Sequence, residues 1–175
     1  MTNAEILNLR AQLSDIYRDY RNTCLSKKYY ELRLRQTERV NFWYEVTLAV
    51  GTSGTVAGWA FWKFPIADVV WPLLGGIVSV LAIIKPILGL SSRIEKLTTL
   101  FANYSTLLID FQLLIFEIKR KGKLDKADRE VYFGLCEKFK TGAGKDEPAP
   151  SVKVLRELRM QVDCEIPVES LWSPK

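Results

Sequence analysis

The chain contains no histidine. This removes the commonest general base near neutral pH and the commonest zinc ligand. Its three cysteines, Cys24, Cys136 and Cys164, stand far apart and show no metal-ligand spacing. An odd cysteine count fits reduced cytosolic thiols better than a disulfide framework. Also missing are a P-loop, a GxSxG elbow, an HExxH helix and a paired-cysteine site. TGAGK at 141–145 has the glycines and lysine of a phosphate loop, but neither the Walker spacing nor a preceding apolar strand. No catalytic set, cofactor or metal is therefore expected, and the chain is not expected to be an enzyme. Its first residues, MTNAEILNLRAQL, are amphipathic and charged, without the continuous apolar core of a cleavable signal.

Charge is missing from two internal stretches. Residues 46–62 and 69–84 carry no charged side chain, whereas 26% of the whole chain is charged. As helices these stretches span about 24–26 Å, near the roughly 30 Å hydrocarbon core of a bilayer. Aromatic residues flank them: Phe42, Trp43 and Tyr44 before the first, Trp59, Phe61 and Trp62 at its end, and Trp71 at the second. The expected structure over 42–90 is a transmembrane helical hairpin with a short connector, KFPIAD, bracketed by Lys63 and Asp68. Glu45 and Lys85, near its ends, are expected to snorkel to the interface. Eight Lys or Arg precede Phe42, and Arg93 and Lys96 follow Lys85, while the connector has only Lys63. The positive-inside rule then makes the protein multi-pass with both termini cytoplasmic.

Small residues form a stripe on each expected span. Thr47, Gly51, Gly54, Thr55 and Gly58 share one helical face, and Gly54 and Gly58 make a GxxxG motif. Pro72, Gly75, Ser79, Ala82 and Pro86 form a similar stripe on the second. Such faces let helices approach closely in lipid. They would pack the hairpin on itself, pack one protomer on another, or line a narrow polar path.

The flanks read as cytosolic helices. One is expected from residue 3 to about 40, with a break near Asn22. Ile6, Leu9, Leu13, Ile16, Tyr20 and Thr23 follow a 3-4 spacing along it. Lys27, Lys28, Arg33, Arg35 and Arg39 then make a juxtamembrane basic patch suited to anionic lipid. The tyrosines among them also suit nucleic acid. A membrane-proximal helix explains the same residues more economically, and no nucleic-acid partner is expected.

After the hairpin, Ser92 and Glu95 read as a capping box. Ile94, Leu97, Phe101, Tyr104, Leu108, Phe111, Ile115 and Ile118 then carry the longest 3-4 seam in the chain. Gly122 reads as a C-cap and Asp125 as the N-cap of a helix over 126–140, with Tyr132, Leu135 and Phe139 facing a bundle. Residues 141–150 read as a linker. Ser151 caps a last helix with Val152, Leu155, Leu158 and Val162 on one side. The remainder, with Trp172, reads as an extended or disordered tail. The expected organisation is an N-terminal helix over 1–41, the hairpin over 42–90, cytosolic helices over 91–140, the linker, and a C-terminal helix and tail over 151–175. The fold class is all-α: a membrane hairpin with a cytosolic antiparallel helical bundle.

The layout resembles the SLATT domain family. The similarity is carried by KKYYELRLRQTERVNFWYEV leading into the first span, VVWPLLGGIVSVLAIIKP as the second, and SSRIEKLTTLFANYSTLLIDF after it, and covers roughly residues 5–140. The resemblance implies a bacterial inner-membrane effector of antiphage defence. Such an effector oligomerises into a pore when a regulatory protein of a nucleotide-signalling or retron system activates it, and the infected cell aborts. The 175 residues include no separate sensor domain, so a signal is expected to enter through the helices or from another protein. The alternative is a non-conducting membrane anchor that recruits a cytosolic partner through its bundle. Under either reading membrane lipid is a partner, and homo-oligomerisation is expected of the effector.

Overall fold

A computed structural model of the chain describes residues 3–58, 67–142 and 150–167. The described residues form five helices and no strand: α1 (Asn3–Gly58), α2 (Ala67–Leu88), α3 (Leu90–Lys121), α4 (Lys126–Gly142) and α5 (Val152–Glu165). They divide into two units. One holds Met1–Leu32 and Thr98–Lys175, the other Arg33–Leu97.

α1 has 56 residues, about 84 Å at 1.5 Å per residue. No glycine or proline occurs before Gly51, so nothing in the backbone ends the helix sooner. The break expected near Asn22 is absent, and Asn22 is an exposed residue inside a continuous helix. Threonine hydroxyls along it are satisfied by its own carbonyls. Thr23 Oγ1 donates to the Asp19 carbonyl at 2.8 Å, and Thr37 Oγ1 to the Arg33 carbonyl at 2.8 Å.

The first unit is a helical bundle. Leu9, Leu13, Ile16 and Thr23 of the expected α1 seam are buried, with Ile6 and Tyr20 half-buried. On α3, Tyr104, Leu108, Phe111 and Ile118 are buried, and Phe101 and Ile115 half-buried. Both stripes are wider than the seams. Tyr17 and Cys24 add to α1, and Leu107 and Leu114 to α3. A helix with neighbours on two sides buries a face broader than a two-helix seam. α4 contributes Leu135, and α5 contributes Leu158 and Val162. Val152, expected on the apolar side of α5, is 84% exposed. Tyr30 stacks on Tyr104 at 5.2 Å, and Tyr104 meets the edge of Phe139 at 5.7 Å.

The helix ends follow local chemistry. Gly122 has φ +67° and donates to the Ile118 carbonyl at 2.9 Å, the left-handed cap that ends α3. Asp125 precedes α4, and its N–H donates to Asp128 Oδ2 at 3.1 Å. That is one half of a capping box, with aspartate in the acidic place. Ser151 Oγ accepts from the Val154 N–H and caps α5.

The second unit contains α1 from Arg33 onward, α2 and the start of α3. α2 ends at Gly89, whose φ is +53°. The Gly89 carbonyl accepts the Arg93 N–H at 3.0 Å, so α3 is already open at Leu90. The Ser92–Glu95 pattern permits either a break there or a continuous helix, and the break falls earlier, at Gly89. Gly89 takes a left-handed conformation at little cost, and one residue suffices to end one helix and begin the next. Ile94 is half-buried here and Leu97 buried.

Among the described residues, α3 is the one helix long and apolar enough to cross a membrane, and Gly75–Leu88 is a shorter apolar helix. A mostly buried core helix passes the same test, and 22% of this window is buried. α3 has apolar side chains on two faces: the buried stripe from Tyr104 to Ile118, and exposed Ile109, Leu113 and Phe116.

Candidate functional site

In the second unit the spacing of small residues acts unevenly. Gly51 of α1 lies against Val78 of α2, where a Cβ on Gly51 would overlap the valine side chain. The α1 stripe is therefore used at this position within the chain. On α2 the described part of the expected stripe is open. A Cβ on Gly75 or Gly76 would meet nothing within 4 Å, and Ser79 and Ala82 are exposed. Thr47 and Ser79 turn their hydroxyls back to their own helices, to the Trp43 and Gly75 carbonyls, each at 2.8 Å. The surroundings of Gly54, Thr55, Gly58, Trp59, Phe61, Trp62, Lys63, Asp68, Trp71 and Pro72 lie outside the described residues.

A polar cluster closes one end of this helix pair. The Tyr44 hydroxyl donates to the Leu81 carbonyl. Lys85 Nζ lies 3.6 Å from Glu45 Oε1, which also accepts from Asn41 Nδ2 at 3.2 Å. Glu45 and Lys85, expected to snorkel separately, pair with each other. Around the pair the outer surface is apolar. Phe42, Trp43, Val50, Leu73, Ile77, Val80, Ile83 and Ile87 are all exposed, Ile87 at 77%. Each such side chain loses about 1.5–3 kcal/mol in water relative to an apolar setting.

The basic residues of α1 from Lys27 to Arg39 separate into two kinds. Lys27 Nζ sits 5.9 Å from the Phe101 ring centroid, and Lys28 Nζ binds Glu165 Oε1 of α5 at 2.6 Å. Both turn to the bundle instead of forming an open patch. Arg35 and Arg39 are exposed and Arg33 half-buried. Tyr29 and Tyr30 are buried.

Three polar clusters lie in the bundle. Asp19 Oδ2 accepts from the Tyr132 hydroxyl at 2.6 Å and lies 3.7 Å from Cys136 Sγ. Burial, reinforced by the bond to Asp19, pushes the Tyr132 phenol well above its ordinary range. Burial likewise raises the Cys136 and Cys24 thiols, which keeps both protonated and poorly nucleophilic. At the α3–α4 corner, Lys121 Nζ binds Asp128 Oδ1 at 2.8 Å. That bond raises Lys121. Burial alone would raise Asp128, but the Lys121 and Asp125 bonds outweigh it and hold the carboxyl low. On α5, Asp163 pairs with Arg21 of α1 beside the Lys28–Glu165 pair.

Nothing local in the sequence identifies the partners of Asp19, Asp163 or Glu165, which lie more than a hundred positions away. The Asp125-x-x-Asp128 spacing was the one legible signal, as a variant capping box. A cleft of about 330 Å³ also opens between α3 and α4, walled by Tyr104, Leu107 and the Asp110–Lys138 pair. Among the described residues no three of His, Cys, Asp and Glu gather as they would around a metal ion. No family model, curated protein or solved structure matches the chain.

Proposed function

We propose that the chain is a membrane effector of bacterial antiphage defence, of the kind the SLATT resemblance implies. Residues 42–90 cross the inner membrane as a hairpin with both termini in the cytoplasm. Copies associate through the open small-residue face of α2 and breach the membrane, aborting infection. The observation that carries this reading is the contrast between the two sides of α2. Val78 and Leu81 engage α1, while Gly75, Gly76, Ser79 and Ala82 stay open within an apolar surface. In lipid, an open face of small residues is where a second helix packs closely. α3 is read as a bundle helix, since it carries the buried stripe from Tyr104 to Ile118. The test is expression in bacteria. The chain should pellet with membranes, resist alkaline carbonate and collapse the membrane potential on activation. Recovery in the soluble fraction would overturn the reading.

A second reading, a non-conducting anchor that recruits a partner, is favoured by Ile109, Leu113 and Phe116. They lie at i, i+4 and i+7 on α3 and are all exposed, the spacing of a face that docks another helix. Full function with an unrelated transmembrane hairpin would select it over the first.

A further inference from the structure

α5 rests in a groove made by α1 and α3. Leu158 and Val162 are its buried side chains, and Val162 packs with Cys24 and Leu108, flanked by Tyr20, Leu25 and Ile166. Two charge pairs hold the rim: Arg21 with Asp163, and Lys28 with Glu165 at 2.6 Å. The cations belong to the groove and are the better covered partners, at 26% and 19% side-chain exposure against 60% and 57% for the acids. The groove rim is thus basic at Arg21 and Lys28 above an apolar floor, and it fits an amphipathic helix whose last turn is acidic. α5, charge-balanced over its 14 residues, carries Asp163 and Glu165 at that end. Rim pairs of this exposure are individually weak, and two buried aliphatic side chains are a small anchor. Residues 143–151 connect α4 to α5, and nine residues reach up to roughly 30 Å.

We propose that this groove takes the α5 of a second copy, so that neighbouring chains exchange their last helices. Exchange keeps every contact of the closed form and needs no new surface, which makes it a low-cost route to assembly. In a membrane plane the copies are held near one another, which raises the effective concentration of the exchanging helix. The inference deepens the self-association in the proposed function and takes its effective-concentration argument from the membrane placement. Its readouts are thiol protection and cross-linking, so its failure would leave membrane insertion and leakage untouched.

Cys24 lies under α5 and is 5% exposed, which makes it a reporter. Full-length chains in detergent, with Cys136→Ser and Cys164→Ser, keep it as the sole thiol. One variant carries Asp163→Lys and Glu165→Lys, and another Arg21→Glu and Lys28→Glu. Each alone faces like charge across the groove, and Cys24 should react with an uncharged maleimide roughly tenfold faster than in the parent. Mixed, each variant's α5 fits the other's groove. Protection should return and a heterodimer should form. Fast labelling that persists in the mixture, with no heterodimer, would overturn the exchange. So would slow labelling of the variants alone.

A second measurement avoids charge reversal and guards against misfolding. Two differently tagged chains in a background without other cysteines (Cys24→Ser, Cys136→Ser, Cys164→Ser) carry Arg21→Cys and Asp163→Cys respectively. Oxidation of the mixture should give a disulfide between the tags, and its absence would overturn the proposal.

Discussion

Lys121 and Asp128 meet at 2.8 Å across the corner between α3 and α4. The same carboxylate accepts the Asp125 N–H through its other oxygen, so one side chain caps α4 and ties it to the end of α3. Replacing Asp128 with alanine should cost about 1–2 kcal/mol, read as a shift in the urea midpoint at neutral pH. Because the folded carboxyl is held below its ordinary 3.8, its contribution is present above that value and lost as pH falls through the depressed one. Asp128→Asn should therefore flatten the acid limb of stability against pH, and an unchanged limb would refute the assignment.

The tyrosines set the alkaline limb. Burial, then the neighbouring Tyr30, raises Tyr104 from 10.0 to about 12, and Tyr132 is raised by burial and by Asp19. For a group raised on folding, the contribution is complete below the unfolded value and lost as pH climbs through the folded one. Helix content by circular dichroism should fall between pH 10 and about 12, together with a late rise in tyrosinate absorbance. Tyr132→Phe leaves Asp19 without its closest donor and should cost about 1–3 kcal/mol at neutral pH.

Among the described glycines of α1 and α2, Gly51 is the one where a Cβ would overlap a neighbour, Val78. Gly51→Leu should force α1 from Val78 and lower the thermal midpoint in detergent, by overpacking worth about 1–3 kcal/mol. Val78→Ala in the same chain should recover part of the loss. Gly75→Leu should leave the midpoint of the monomer unchanged, since a Cβ there meets nothing within 4 Å, while weakening association between copies.

What was legible in the chain was local. Gly122, Asp125 and Ser151 end or begin helices by bonds within four residues, and the 3-4 seams place Leu13, Ile16, Tyr104 and Phe111 in the bundle. The single-residue break at Gly89 was hidden because its conformation, and not its neighbours, ends α2. The Ser92–Glu95 pattern looked stronger, yet those residues are ordinary members of the first turns of α3. Pairings across the bundle were out of reach. Asp19 with Tyr132 and Lys28 with Glu165 depend on which helix packs beside which, and several cations could have answered either acid. Leu107 and Leu114 were missed for a related reason, since a 3-4 seam describes one neighbour and α3 has more.

The proposed membrane-breaching role meets its most direct test in vesicles of bacterial lipid loaded with a self-quenched dye. Purified chain, incorporated and activated by its trigger or by raised density, is expected to release the dye, and Gly75→Leu with Ser79→Leu is expected to suppress release while the protein remains incorporated. Full dye retention by vesicles that demonstrably contain the activated wild-type chain would contradict the role.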